Sequence, residues 1–205
     1  MLRPVFWLSF TLDQHLAEQE PGATAVVLTS ASSKAAAGLA HLLGQRGVPA
    51  IGLTSEPHAG FTGGTGLYRH VVTYDQMGAL AELAGARPVL VDVAGRPALR
   101  QEAARQLAGP VLVAGRTHHD APGDDTRLFS APGQIAELAR QWGWPGLDRR
   151  FTAALGAFAG SASWLTIEVS HGIGGAAGTY HQILGNDSVP DVAHVVDLTG
   201  SGPWG

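Results

Sequence analysis

The chain has 205 residues, a formal net charge of −4, 28 glycines, no cysteine and only 15% charged residues. That length fits one domain, or one domain with a small appendage, with enough chain for a real core. The acidic balance argues against nucleic acid as the main partner, since no basic face is on hand to displace counterions. Zero cysteines exclude disulfides, thiolate nucleophiles and zinc–thiolate sites, and fit a reducing compartment. No apolar run is long enough to span a bilayer, and Met1 to Leu8 is too short for a signal h-region. The expectation is a cytoplasmic protein without a membrane partner.

The opening segment, 5–19, reads as a lead-in helix, with Thr11 and Gln14 in a capping-box spacing and Pro21-Gly22 as its stop. Strands and helices then alternate. Ala25-Val26-Val27-Leu28-Thr29 is a buried-strand run, followed by a loop of small polar residues, Ser30-Ala31-Ser32-Ser33, and a helix over 35–46 that opens beside Lys34, the single lysine. A second strand covers 49–54, and a glycine-rich loop is expected over 55–66. A short strand at 69–74 precedes a helix at 76–84; a strand at 88–93 precedes a helix at 97–108; another strand covers 110–114. Continuous apolar strands spaced by amphipathic helices imply a parallel sheet covered on both faces. After about residue 145 the pattern changes. Trp142-Gly143-Trp144-Pro145 closes one helix and a helix at 148–160 follows. Then come a strand at 164–169, a Gly-rich stretch at 172–178, a short helix and a strand at 192–198. The expected organisation is a lead-in helix (1–20), a Rossmann-like α/β domain (21–145) and a small α+β tail (146–205).

The loop after the first strand is where an α/β protein builds a phosphate site: backbone N–H groups and the helix dipole face an anion there. Serine hydroxyls add donors, and Lys34 adds a point charge. The Gly-x-Gly-x-x-Gly fingerprint is absent. The plain alternative is a Ser-capped helix with a solvated lysine.

Taken together, the pieces resemble the C-terminal half of medium-chain dehydrogenase/reductases of the quinone-reductase type. They resemble more closely a "domain of unknown function" group related to them. The resemblance rests on the Ser30-Ala31-Ser32-Ser33-Lys34 loop, Gly52-Leu53-Thr54-Ser55, Tyr74-Asp75 and Val91-Asp92-Val93-Ala94-Gly95. It continues through Gly115-Arg116-Thr117-His118 and the tail from Trp164 to Leu198. It implies a Rossmann-like domain that receives NADP or NAD, with the tail as a remnant of a GroES-like barrel. It also implies that the N-terminal part of that barrel, which supplies much of the substrate pocket, is missing.

On this reading the cofactor contacts are Thr29, Ser30, Ser32, Ser33 and Lys34 at the phosphates, and Thr54 and Ser55 at the ribose end after the second strand. Ser55 suits a 2′-phosphate and Glu56 suits a 2′-hydroxyl; the resemblance tips the choice slightly to NADP. His118, with His119 and Asp120, follows the fifth strand. It would lie near the nicotinamide end as a proton relay or carbonyl-orienting group, or be a solvated pair. No metal site is expected. His171 to Gly178, with Asp197, imitates a dinucleotide fingerprint but falls in the expected barrel remnant; Tyr180 and His181 beside it are acid–base candidates or packing residues. The expected function is NAD(P)-dependent oxidation or reduction of a small carbonyl or enone. The alternatives are a non-catalytic NAD(P)-binding module, or a truncated dehydrogenase half needing a partner chain. A homodimer, or a partner chain supplying the barrel, is expected.

Overall fold

The computed structural model describes residues 2–114, 126–184 and 189–198. It divides into two compact units, Leu2–Gly160 and the chain from Ser161 onward. In chain order the first unit holds α1 (Arg3–Gln19), β1 (Ala25–Thr29), α2 (Lys34–Gln45), β2 (Ala50–Thr54), α3 (Glu56–Gly64) and β3 (His70–Thr73). A 3₁₀ turn (Tyr74–Ala79) leads into α4 (Leu80–Leu83), then β4 (Pro88–Asp92), α5 (Pro97–Gln106), β5 (Val111–Val113), β6 (Thr126–Leu128) and α6 (Ala131–Ser161). The second unit holds β7 (Thr166–His171), α7 (Gly172–Leu184) and β8 (Val192–Asp197).

The six strands of the first unit form one sheet in the order β3-β2-β1-β4-β5-β6, every pair parallel. Alternation along the strands sorts the apolar side chains onto two faces. Val27, Ile51, Leu53, Val72, Leu90 and Val113 pack with Met77, Leu80 and Ala103 on one face. Val26, Leu28, Val89, Val91 and Leu112 pack with Leu12 and Leu16 of α1 and Leu39 and Leu43 of α2 on the other. Both faces are therefore covered, as the unbroken apolar strands require. The chain leaves β1 toward β2 on one side and returns to β4 on the other. The strand order reverses between β1 and β4, and in open α/β sheets ligands bind beyond the C-terminal ends of the strands at such a point.

Several local expectations change. Thr11 is no cap: it lies inside α1, and its hydroxyl donates to the Trp7 carbonyl at 2.7 Å. α1 is held instead by aromatic packing on α6, with the Trp7 and Phe151 rings stacked at 3.7 Å and Phe6 and Phe158 at 5.3 Å. The glycine-rich segment after β2 is not a loop but α3. Pro57 pre-sets its first turn, and Thr62, fully buried, donates to the His58 carbonyl. The helix expected at 76–84 is a 3₁₀ turn and a single α-turn. β6 has three residues, too few to carry a sequence signal. Gly143 (φ +68) and Pro145 kink α6 where one helix was expected to close, and the division between compact units falls beyond it, at 160/161.

In the second unit β7 and β8 pair in parallel, Thr166 opposite Val192 through His171 opposite Asp197, with α7 as the crossover. α7 starts directly after β7 and takes up the whole Gly-rich stretch, so it is longer than the expected short helix.

Candidate functional site

The C-terminal ends of β1 and β4 are tied by a buried polar cluster. Thr29 Oγ1 donates to Asp92 Oδ1 at 2.7 Å and accepts from the backbone N–H groups of Val93 (2.9 Å) and Ala94 (3.0 Å). Asp92, fully buried, also accepts from Gly95 N–H and from Arg100 Nη1, both at 3.2 Å. Every oxygen of this buried pair thus has partners, as a low-dielectric site demands. The cluster sets the first residues of the β4–α5 loop against the end of β1.

The loop from Ser30 to Ser33 is fixed as tightly. Ser30 has φ +52, the left-handed region that glycine usually fills. Ala31 N–H donates to the Leu53 carbonyl at 3.1 Å, and Tyr68 Oη donates to the Ala31 carbonyl at 2.7 Å. Burial pushes the Tyr68 phenol far up, so it stays a neutral donor. The Ala31 methyl is buried against β2 at Gly52, where a Cβ would sit 2.9 Å from it. Ser33 is the N-cap of α2, and its hydroxyl accepts from Ala36 N–H at 3.2 Å. Tyr74, just past β3, is pushed up by burial; a backbone hydrogen bond from Ser30 and the Arg96 charge oppose that shift, while Asp92 adds to it.

The sequence-level candidates therefore separate into two groups. Ser30, Ser32, Ser33, Lys34 and Ser55 come together, half-buried, at the C-terminal edge around the start of α2. Thr29 and Thr54 are buried at the strand ends, and Thr29 spends its hydroxyl inside the fold. The structure adds a residue that sequence reading passes over. His58, in the first turn of α3, has Nδ1 3.3 Å from Ser32 Oγ and 3.3 Å from Ser55 Oγ. The signal was there, Ser55 followed by Pro57 as a helix start, but three nearby glycines hid it. Asp92 and Arg100 were likewise missed as a pair, because their link needs the fold.

His118, His119 and Asp120 lie outside the described residues. Among the described residues no group of three or more His, Cys, Asp or Glu side chains is placed to hold a metal. No helix of the described chain is long and apolar enough to cross a membrane. The fingerprint-like stretch after β7 runs straight into α7: Gly172 (φ +67) makes the turn, and Gly174 and Gly175 lie in the helix. Asp197 there faces His171 at 3.5 Å, and Tyr180 is exposed with its ring against His181.

A family described as "Protein of unknown function (DUF2855)" matches residues 1–188. The chain belongs to this family. Comparison with curated proteins finds no match. Among solved structures, the DUF2855 chain is similar to CurA in complex with NADPH from Vibrio vulnificus (13% identity, 93% of this chain and 62% of that one, TM-score 0.62). It is similar to the yhdH oxidoreductase from Salmonella enterica in complex with NADP (18%, 94% and 60%, TM-score 0.58). It is also similar to the quinone oxidoreductase from Thermus thermophilus, solved with and without NADPH (20%, 78% and 60%, TM-score 0.52). At these identities the likeness establishes the fold alone: a Rossmann-like α/β domain with a parallel sheet. The chain spans about three fifths of the length of each.

The Thr29–Asp92 cluster sets the stability of this edge. Thr29→Val keeps the shape but removes the hydroxyl that donates to Asp92 and accepts from the Val93 and Ala94 N–H groups. It should lower unfolding free energy by about 2–4 kcal/mol in urea titrations; a loss below about 0.5 kcal/mol would show that the cluster does not hold the two strand ends.

Proposed function

We propose that the chain binds NAD(P) across the C-terminal edge of the β3-β2-β1-β4-β5-β6 sheet, as the nucleotide-binding part of an oxidoreductase that acts on a small carbonyl or enone. The observation that carries this reading is the disposition of the side chains that stand where glycines are usual. Ala31 turns its methyl under the loop against Gly52, and Ser33 folds its hydroxyl back onto α2. A pyrophosphate can therefore approach the backbone of a loop without glycine. The residues present fit the group: Ser30, Ser32, Ser33 and Lys34 at the phosphates, on the positive end of the α2 dipole, and Ser55 at the ribose end. Thr29 serves from beneath by fixing the end of β1 to that of β4. The cofactor, when bound, supplies the hydride chemistry; the protein orients it and shapes the cleft. His118 is the residue proposed for the nicotinamide end.

The test is calorimetric titration of the purified chain with NADPH and with NADH. Binding of at least one is expected, and Lys34→Ala should weaken it about tenfold by removing a charge-assisted contact. A well-folded wild type that binds neither at millimolar concentration would overturn the proposal.

A second reading is a non-catalytic NAD(P)-binding module, or a dehydrogenase half completed by a partner. It is favoured by the second unit, whose Ile167, Val169, Ile173, Ile183 and Leu184 are all more than half exposed. Apolar surface on a two-stranded sheet with open edges invites association, and a homodimer is the simplest closed solution. Light scattering over a concentration series should show a species larger than one chain. A monomer at every concentration would rule out self-association.

A further inference from the structure

The sequence leaves the ribose end ambiguous, because Ser55 and Glu56 argue for opposite cofactors. The structure separates them. Glu56 and His58 stand two positions apart on the first turn of α3, and side chains at that spacing do not share a face. His58 faces the phosphate loop, with Nδ1 3.3 Å from both Ser32 Oγ and Ser55 Oγ; Glu56 is exposed. The α3 side chain placed against Ser32 is thus an imidazole, the Glu56 carboxylate being exposed.

Three polar groups from three segments converge here: Ser32 from the β1–α2 loop, Ser55 from the end of β2, and His58 from α3. With the hydrogen on Nδ1 the imidazole donates to the serine oxygens, and both hydroxyl hydrogens are left to point outward. The cluster then offers two hydroxyl donors held in place by His58 beside the positive end of a helix dipole, a donor set that suits a phosphate monoester better than a neutral ribose hydroxyl. No carboxylate joins the cluster among the described residues. Other charged or titratable groups at this end of the sheet include Glu56 in the first turn of α3, Lys34 at the start of α2, Tyr68 on the Ala31 carbonyl, Tyr74 and Asp75 beyond β3, and Arg96 with the Asp92–Arg100 pair after β4.

Resting on the NAD(P)-binding reading above, we propose that His58, with Ser32 and Ser55, seats the 2′-phosphate and makes the chain select NADP(H) over NAD(H). His58 is then a specificity residue at the far end of the cofactor from the reacting ring. The seat recognises a phosphate monoester on a ribose, so 2′,5′-ADP should bind and 5′-AMP should bind far more weakly.

The experiment compares full-length wild type, His58→Ala and His58→Asn by calorimetry with NADPH, NADH, 2′,5′-ADP and 5′-AMP. Phosphorus NMR of the 2′-phosphate resonance provides a readout independent of affinity. Thermal melts check that each variant is folded. Wild type should bind NADPH at least tenfold more tightly than NADH. His58→Ala should bring the two within about twofold by weakening NADPH alone, and should abolish the shift of the 2′-phosphate resonance. His58→Asn, which keeps a hydrogen-bonding group, should fall between. Equal weakening of NADPH and NADH in the variants would overturn the proposal, because it would mean that His58 only braces the loop. A wild-type preference for NADH, or none, would also overturn it while leaving cofactor binding intact. Binding of neither dinucleotide would overturn the broader reading instead.

Discussion

The 2.7 Å hydrogen bond between Thr29 and Asp92 is the constraint on which the rest of the site depends. These are the last residues of two neighbouring strands, and both are fully buried. An ionised carboxylate at such a depth is stable only if it is surrounded by donors. Thr29, Gly95 N–H and Arg100 provide them, and the same threonine oxygen then takes the N–H groups of Val93 and Ala94. Satisfying one buried charge therefore fixes the start of the β4–α5 loop and the end of β1 together. These two strand ends are set before any ligand arrives. Pre-set geometry of this kind lowers the ordering cost of binding.

On the other side of β1 the loop is held by a different device. A glycine loop approaches a pyrophosphate by having no side chains; this loop has three serines and an alanine and disposes of them one by one. Ser30 accepts the left-handed backbone, Ala31 is buried on Gly52, Ser33 caps its own helix, and Ser32 turns to His58. The Tyr68 hydroxyl closes the arrangement from the far side of β2. The absence of a glycine fingerprint is thus compatible with a phosphate site, because what matters is where the Cβ atoms point and not whether they exist.

How much of this was legible in the sequence follows from the range of each interaction. The strands β1, β2, β4 and β5 are runs of consecutive apolar residues buried on both faces, and such runs announce themselves. Helix α2 follows from the Ser33 cap and the apolar spacing of Leu39 and Leu43. Helix α3 was hidden because Gly60, Gly63 and Gly64 lower its intrinsic propensity, while Pro57 at its start and the burial of Thr62 offset that. Thr11 carried a capping pattern that burial against the sheet overrode. In the site, Ser30 to Lys34 could be read because they are contiguous. The Thr29–Asp92 and Ser32–His58 contacts join residues 63 and 26 positions apart, and only the strand order brings them together. The Gly-rich stretch after β7 shows the reverse case: its motif was visible, and past the turn at Gly172 it runs as helix α7.

The central claim is that an anionic dinucleotide lies along one edge of the sheet, over the ends of β1, β2 and β4. Backbone amide NMR of the isotopically labelled full chain during titration with NADPH tests this most directly. The account predicts that the largest shifts cluster at Ser30–Ala36, Ser55–His58 and Val93–Gly95, while Gly172–Gly178 stay in place. Saturable shifts centred on Gly172–Gly178, or spread with no focus at the C-terminal edge of the first sheet, would contradict it.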